Sequence, residues 1–315
     1  MANTQDQQLI AEILDMAPNG EVTLNQALTH YETVYMPARN YAAKTRVNYR
    51  NDIAGLIEFL QKNGSKNPED VSLNALEAYM AELDRRGLTG STRTRKTYAI
   101  KSFFAFLTQY RYTDNNVAKR LIPPKQERKE PRVLTEREYK ALLRAVSHNT
   151  RDAAIIELLL QTGIRLSELS RLRLNDVDLP KRMSRDPDNL GVLYIKGKGG
   201  KERSIPLNYK ACKALKAWLK IRPDVDHEGL FVTKFATPMG LRSFQYTVQK
   251  YLKEAGIKGA SVHTLRHTFA THHVARGTDL RSVQAALGHA DLKTTSIYVH
   301  LARTVIKRQL QEHAL

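Results

Sequence analysis

The chain has 315 residues, enough for two domains with cores of their own, and carries 50 Lys plus Arg against 32 Asp plus Glu, a formal net charge of +18. Its longest apolar runs, such as "AAIIELLL", fall far short of a bilayer span, and its single cysteine, Cys212, excludes an internal disulfide and a cysteine-rich zinc site. The charge is uneven: residues 1–100 hold 11 basic and 12 acidic groups while residues 101–315 hold 39 and 20, which points to a surface that meets a polyanion, nucleic acid above all.

Residues 1–20 are polar and acidic and lack the basic start and apolar block of a secretory signal, so a cytoplasmic protein with a short N-terminal extension is expected. Periodicity predicts a helix over roughly 23–35 and a second over 44–64, where Val47, Ile53, Leu56, Ile57 and Leu60 form an apolar stripe ended by Gly64. "SLNALEAYMAELDRRG" (72–87) reads as a third, with Ser72 as N-cap, and "STRTRKTYAIKSFFAFLTQY" (91–110) as a fourth, opened by Ser91. In the fourth, Arg93, Arg95, Lys96 and Lys101 precede the apolar Phe103, Phe104, Phe106 and Leu107. That arrangement describes a helix docked by its aromatic end and offering its basic end outward.

Pro123, Pro124 and Pro131 then forbid a continuous helix, so residues 116–132 are expected to be an extended linker between a helical domain (21–115) and a second domain (133–315). Helix resumes at Thr135, an N-cap with Glu138 at capping-box spacing. The second domain is mostly helical with one strand signal, "GVLYIKGKGGKERSIPL" (191–207). Val192 to Ile195 run out, Gly199 and Gly200 turn, and the chain returns with Lys198 at the tip. The glycines do not match G-x-x-x-x-G-K-[ST], so no nucleotide-binding loop is read there.

"SVHTLRHTFATHHVARG" (261–277) sets His263, Arg266 and His267 on one helical face. A helical zinc pair would need Glu between its histidines; Thr264, Leu265 and Arg266 stand there instead, so no metal is expected. A core reading would have to bury Arg266 beside a carboxylate, and the segment supplies none. A bound phosphate supplies the anion, because Arg matches its oxygens bidentately and His adds a hydrogen bond. "QTGIRLSELSRL" places Arg165 at a glycine turn into a short helix, and "ALGHADLKTTSIYVH" offers His289 after a second glycine turn and Tyr298 nine residues on.

The constellation Arg165, Lys198, His263, Arg266, His289 and Tyr298 resembles the catalytic set of the tyrosine recombinase, or phage integrase, family. "TGIRLSEL", "GKGGKER", "HTLRHTFATH" and "LGHADLKTTSIYVH" resemble its motifs in order, on a plan similar to the Xer-type members. The resemblance implies a mainly α fold with a small β-hairpin or sheet in the catalytic domain (α+β), arranged as a two-domain C-shaped clamp on double-stranded DNA. It implies site-specific recombination through a 3′-phosphotyrosine intermediate and a Holliday junction, with no cofactor, metal or ATP. Cleaving a phosphodiester concentrates negative charge on two non-bridging oxygens, which Arg165, Arg266 and His289 would stabilise, while Tyr298 attacks, its phenol made adequate by surrounding cations. Lys198 resembles the family's general acid for the departing 5′-hydroxyl, and His263 the position that assists the nucleophile's proton; His267, His272 and His273 are read as structural. Arg46, Arg50, Arg93, Arg95, Lys96, Lys101, Lys201 and Arg203 are expected on the DNA backbone. A homotetramer on two inverted-repeat sites is expected, joined through the apolar stripe of residues 301–315. Two departures stand out: "DLPKRMSRDPDN" looks longer than in compact relatives, and the first 20 residues are too few for a separate arm-binding domain. A DNA-binding regulator would share the charge but not the nucleophile set. A type IB topoisomerase would share the site but relax DNA without joining duplexes.

Overall fold

The computed structural model describes residues 22–125, 130–186, 189–197, 202–288 and 295–303. The fold is mainly helical with one three-stranded antiparallel sheet, and it divides into two compact units, Met1–Arg128 and Lys129–Leu315. No helix among the described residues is long and apolar enough to cross a membrane.

In the first unit α1 (Leu24–His30) starts at Thr23, whose hydroxyl forms a capping box with Gln26. A π-helical turn, Tyr31–Tyr35, follows and turns Tyr31 and Tyr35 onto Phe103 and Phe106, with ring centroids 5.3 Å and 5.0 Å apart. Between them in sequence lie α2 (Ala43–Lys62) and α3 (Leu73–Arg85), the latter capped by Ser72. The fourth helix, α4 (Gly90–Gln109), buries Phe103, Phe104, Phe106 and Leu107 completely. Its cap is Thr89, which accepts from the Thr92 amide, rather than the expected Ser91. The α2 stripe is also narrower than the periodicity predicts. Ile53, Leu56, Ile57 and Leu60 are buried, whereas Val47 is 53% exposed.

The second unit forms around α6 (Thr150–Thr162), whose Ala154, Ile155, Ile156, Leu158, Leu159 and Leu160 are buried on nearly every side. Helices α5 (Glu136–Val146), α8 (Tyr209–Ile221) and α10 (Val262–Ala275) pack on it, and α9 (Leu241–Glu254) joins α5. Thr135 and Glu138 form the expected capping box at the start of α5. A short helix, α7 (Leu166–Leu169), follows α6 directly. The sheet runs β1 (Val177–Asp178), β2 (Gly191–Lys196) and β3 (Glu202–Leu207), with Leu193 opposite Val177 on one side and Ile205 on the other. Ile195, opposite Arg203, lies on the same inward face as Leu193, so Arg203, Ile205 and Leu207 alternate inward too. The chain ends its described course with α11 (Leu280–Leu287) and a helical stretch over residues 295–303.

Candidate active site

Two glycines in left-handed conformation bring the site together. Gly163 (φ 62°) terminates α6, and a Cβ there would stand 2.5 Å from the Phe269 ring and 2.9 Å from Leu287. Only glycine lets the end of α6 approach α10 and α11 so closely. Gly288 (φ 63°) terminates α11 in the same way, with the Arg203 guanidinium 2.7 Å from where its Cβ would be.

The consequence is a set of three arginines gripping one helix end. Arg203 donates from Nε to the Ala286 carbonyl (3.0 Å), Arg266 from Nη2 to the Leu287 carbonyl (2.8 Å) and Arg165 from Nη2 to the Gly288 carbonyl (3.0 Å). Arg266 also donates from Nη1 to the carbonyl of Gly163 at 2.6 Å, so its guanidinium spans the C-terminal ends of α6 and α11. These carbonyls carry the negative end of each helix dipole. Arg266 is therefore buried, at 6% exposure, with its hydrogen bonds among the described residues going to main-chain carbonyls and Glu168 acting on it only through its charge, which corrects the expectation that burial would require a bonded carboxylate. Burial lowers its pKa to about 10, the neighbouring Arg165 adding to the shift, and it stays charged at neutral pH.

Among the described residues Glu168, buried at the end of the turn that Arg165 begins, is the one carboxylate in the cluster's hydrogen-bond network. It accepts from the Arg165 amide (2.8 Å) and Nη1 (3.0 Å), and bidentately from Arg203 (3.0 and 2.8 Å). Burial pushes its pKa up, but the bonds from Arg203 and the Arg165 amide outweigh that and hold it below the usual carboxylate range. Among the described residues three guanidiniums stand against one carboxylate, a surplus of positive charge where a phosphate would bring two or fewer negative charges.

Tyr298 lies on the helical stretch 295–303 with its ring packed among Phe269, Ala270, Val283, Leu287 and Leu301. It is 1% exposed, and its hydroxyl is 3.0 Å from Nδ1 of His267. Burial raises the phenol's pKa and outweighs the lowering by Arg266 and Arg165. His267 is lowered to about 4 by burial, then by His263 and Arg266, and is a neutral ring. His263, one turn earlier on α10, is exposed.

Sequence reasoning therefore placed Arg165, Arg266 and Tyr298 in one site, and the structure brings them together; it read His267 as structural, and the structure sets it against the nucleophile candidate. Lys198, Lys201 and His289 lie outside the described residues, as do residues 1–21 and 304–315. Arg203 faces the cluster rather than solvent. Among the other basic candidates, Arg95 and Lys96 both pair with the buried Asp52, Arg93 pairs with Asp84, Arg50 with Glu32, and Lys101 donates to the Lys119 carbonyl. Arg46 is half-buried. The basic start of α4 is thus drawn onto its neighbouring helices as well as turned outward. No group of three or more His, Cys, Asp or Glu able to hold a metal occurs among the described residues.

Residues 132–304 match the model of the phage integrase family, and residues 28–110 match that of the phage integrase N-terminal SAM-like domain. The chain is 34% identical to tyrosine recombinase XerC of Roseiflexus castenholzii, over 84% of this chain and 85% of that one. It is 31% identical to tyrosine recombinase XerC of Bacillus subtilis, over 87% and 91%. Among solved structures, XerA recombinase is 29% identical with a TM-score of 0.51, covering 93% of this chain and 99% of that one. XerH bound to a palindromic difH substrate in a post-cleavage complex shares the fold at 23% identity and a TM-score of 0.73, covering 97% and 88%. A lambda integrase tetramer bound to a Holliday junction shares it at 20% and 0.72, covering 92% and 80%.

Proposed function

The chain belongs to the phage integrase family of tyrosine recombinases, and from that premise we propose that Tyr298 is the nucleophile of a strand exchange in which Arg165 and Arg266 hold the scissile phosphate. The protein is a site-specific recombinase that cleaves and rejoins DNA. The observation that carries the assignment is the convergence of Arg165, Arg203 and Arg266 on three successive carbonyls, with Arg266 and Arg165 close enough to the Tyr298 phenol to act on it by charge. Fixed cations there meet the charge that develops on the non-bridging oxygens, and one such donor is worth about 3 kcal/mol of barrier.

In this reading Tyr298 Oη attacks phosphorus, the P–O5′ bond breaks, and a 3′-phosphotyrosine ester keeps the bond energy for rejoining. Lys198 protonates the departing 5′-oxygen, His289 adds a donor to the phosphate, and His263 serves the nucleophile's side. Glu168 and Arg203 position the arginines rather than touch DNA. Arg46, Arg50, Arg93, Arg95, Lys96, Lys101 and Lys201 supply backbone contacts, those already paired inside the protein holding part of their charge outward. Residues 21–115 and 133–315 both bind duplex, with 116–132 as their linker. Four copies assemble on two inverted-repeat sites and pass through a Holliday junction, a reading supported by the lambda integrase tetramer bound to a Holliday junction, whose fold this chain shares. In the same reading the protein acts in the cytoplasm, at the nucleoid.

The test is Tyr298→Phe, which removes one hydroxyl from a packed ring. On a nicked duplex carrying the site, the variant should bind with unchanged affinity and form no adduct stable to denaturation. A covalent adduct persisting in the variant would assign the chemistry to another residue.

A further inference from the structure

The imidazole that meets the nucleophile is His267, one residue beyond the arginine of the motif. Its Nδ1 lies 3.0 Å from the Tyr298 hydroxyl, with the two ring centroids 5.7 Å apart. The contact is built rather than incidental, because the residues on either side of His267 are pinned. Arg266 is held by the carbonyls of Gly163 and Leu287. The Thr268 hydroxyl accepts from the Leu134 amide at 2.9 Å and donates to the Thr264 carbonyl at 2.7 Å. A helix fixed at 266 and 268 fixes where the 267 Cα–Cβ bond points, and the tyrosine's own ring is packed in the core of Phe269, Ala270, Val283, Leu287 and Leu301. His263 shares the face of α10 but is exposed.

We propose that His267, in place of the exposed His263 assigned above to the nucleophile's side, orients the Tyr298 hydroxyl and receives its proton as the phosphotyrosine bond forms. The inference rests on the function proposed above and deepens it. As the Oη–P bond forms and the P–O5′ bond breaks, the phenolic proton passes to His267 Nδ1, giving an imidazolium that keeps its Nε2 proton. The 5′-oxygen takes its own proton from the general acid assigned to Lys198. In rejoining, the 5′-hydroxyl attacks phosphorus and His267 returns the proton to the departing tyrosine oxygen. Burial keeps the imidazole neutral down to about pH 4, so the acceptor is unprotonated throughout the physiological range. A weak base suffices, because the phenol's proton becomes strongly acidic once its oxygen is bonded to phosphorus.

The experiment uses the full chain and two substrates. The first is a nicked duplex site, scored for covalent adduct in a single turnover. The second is a site whose strand ends in a 3′-p-nitrophenyl phosphate, joined to a 5′-hydroxyl strand in the Tyr298→Phe background, so that the leaving group needs no proton and tyrosine takes no part. His267→Ala should slow adduct formation about 10²-fold with DNA affinity unchanged, and His267→Asn, whose side-chain oxygen stands near the Nδ1 position, should recover about tenfold of that loss. Adding His267→Ala to Tyr298→Phe should leave nitrophenyl joining unchanged. Adduct formation by His267→Ala at the wild-type rate overturns the proposal, and so does an equal loss on both substrates, which would mark a general distortion of the site. If the wild type itself forms no Tyr298-dependent adduct, the recombinase assignment of Tyr298 fails with it; normal adduct in both wild type and His267→Ala removes the inference alone.

Discussion

Arg266 shows why a buried cation can escape sequence reasoning. Its partners are the main-chain carbonyls of Gly163 and Leu287, groups that every residue carries and that no side-chain pattern marks. Other residues of the site did leave signals. Glu168 stands at capping-box spacing from Arg165, Arg203 shares the inward parity of Ile205 and Leu207, and His267 adjoins the motif arginine. What those signals could not convey is which partner each side chain finds, since Gly288, Arg203 and Arg266 meet only in three dimensions. His267 also fixes a pH dependence. Its pKa falls from 6.5 to about 4 through burial, then through His263 and Arg266, and His272 and His273 are lowered as well, again chiefly by burial. Between about pH 6.5 and 4 the unfolded chain binds protons that the folded one refuses, so stability present above 6.5 is lost as pH falls through this window. The thermal midpoint should drop steadily from pH 7 to 4, and His267→Asn should flatten part of that drop; an unaltered slope in the variant would contradict the half-buried neutral ring.

Among the elements, capping chemistry was legible where it was unambiguous and not where two candidates competed. Thr135 with Glu138 opens α5 and Ser72 opens α3, but "LTGSTR" offers hydroxyls at Thr89 and Ser91, and the extended backbone of Thr89 makes it the cap. Val47 escapes the α2 stripe because it lies in the first turns, before the stripe of Ile53, Leu56, Ile57 and Leu60 meets its neighbours. The two-residue β1 was invisible to period-two reasoning, which needs a longer run, yet it pairs with β2 and leads into the long 180–190 stretch. Part of that stretch is tied down: Asn189 donates to the Arg182 carbonyl, Lys216 to that of Lys181, and Met183 packs on the core. Gly163 is the element junction with the least tolerance. Gly163→Ala combines a left-handed backbone with a Cβ driven into Phe269 and Leu287, and should cost about 2 kcal/mol or more, lowering the thermal midpoint measurably. A midpoint equal to wild type would mean that α6, α10 and α11 separate easily.

For the whole molecule the governing quantity is charge. Each of the two units has its own apolar core, one centred on Phe103 and Phe106, the other on α6, while the surplus of basic groups falls after residue 100. A protein that neutralises six or more phosphates should lose about 10³-fold in affinity for duplex between 50 and 200 mM salt, measured by fluorescence anisotropy. A flat response would place the positive surface elsewhere than on DNA. The fold class could be read from motif order and one hairpin, because helices and turns announce themselves locally. The chemistry, however, turns on one hydroxyl among 14 tyrosines, and digestion of the trapped covalent complex identifies which. Trypsin should release a single DNA-linked peptide, "TTSIYVHLAR" (294–303), carrying a nucleotide 3′-phosphate on Tyr298 by mass spectrometry. A DNA adduct on any other peptide, or no adduct where the strand is cut, would contradict the account.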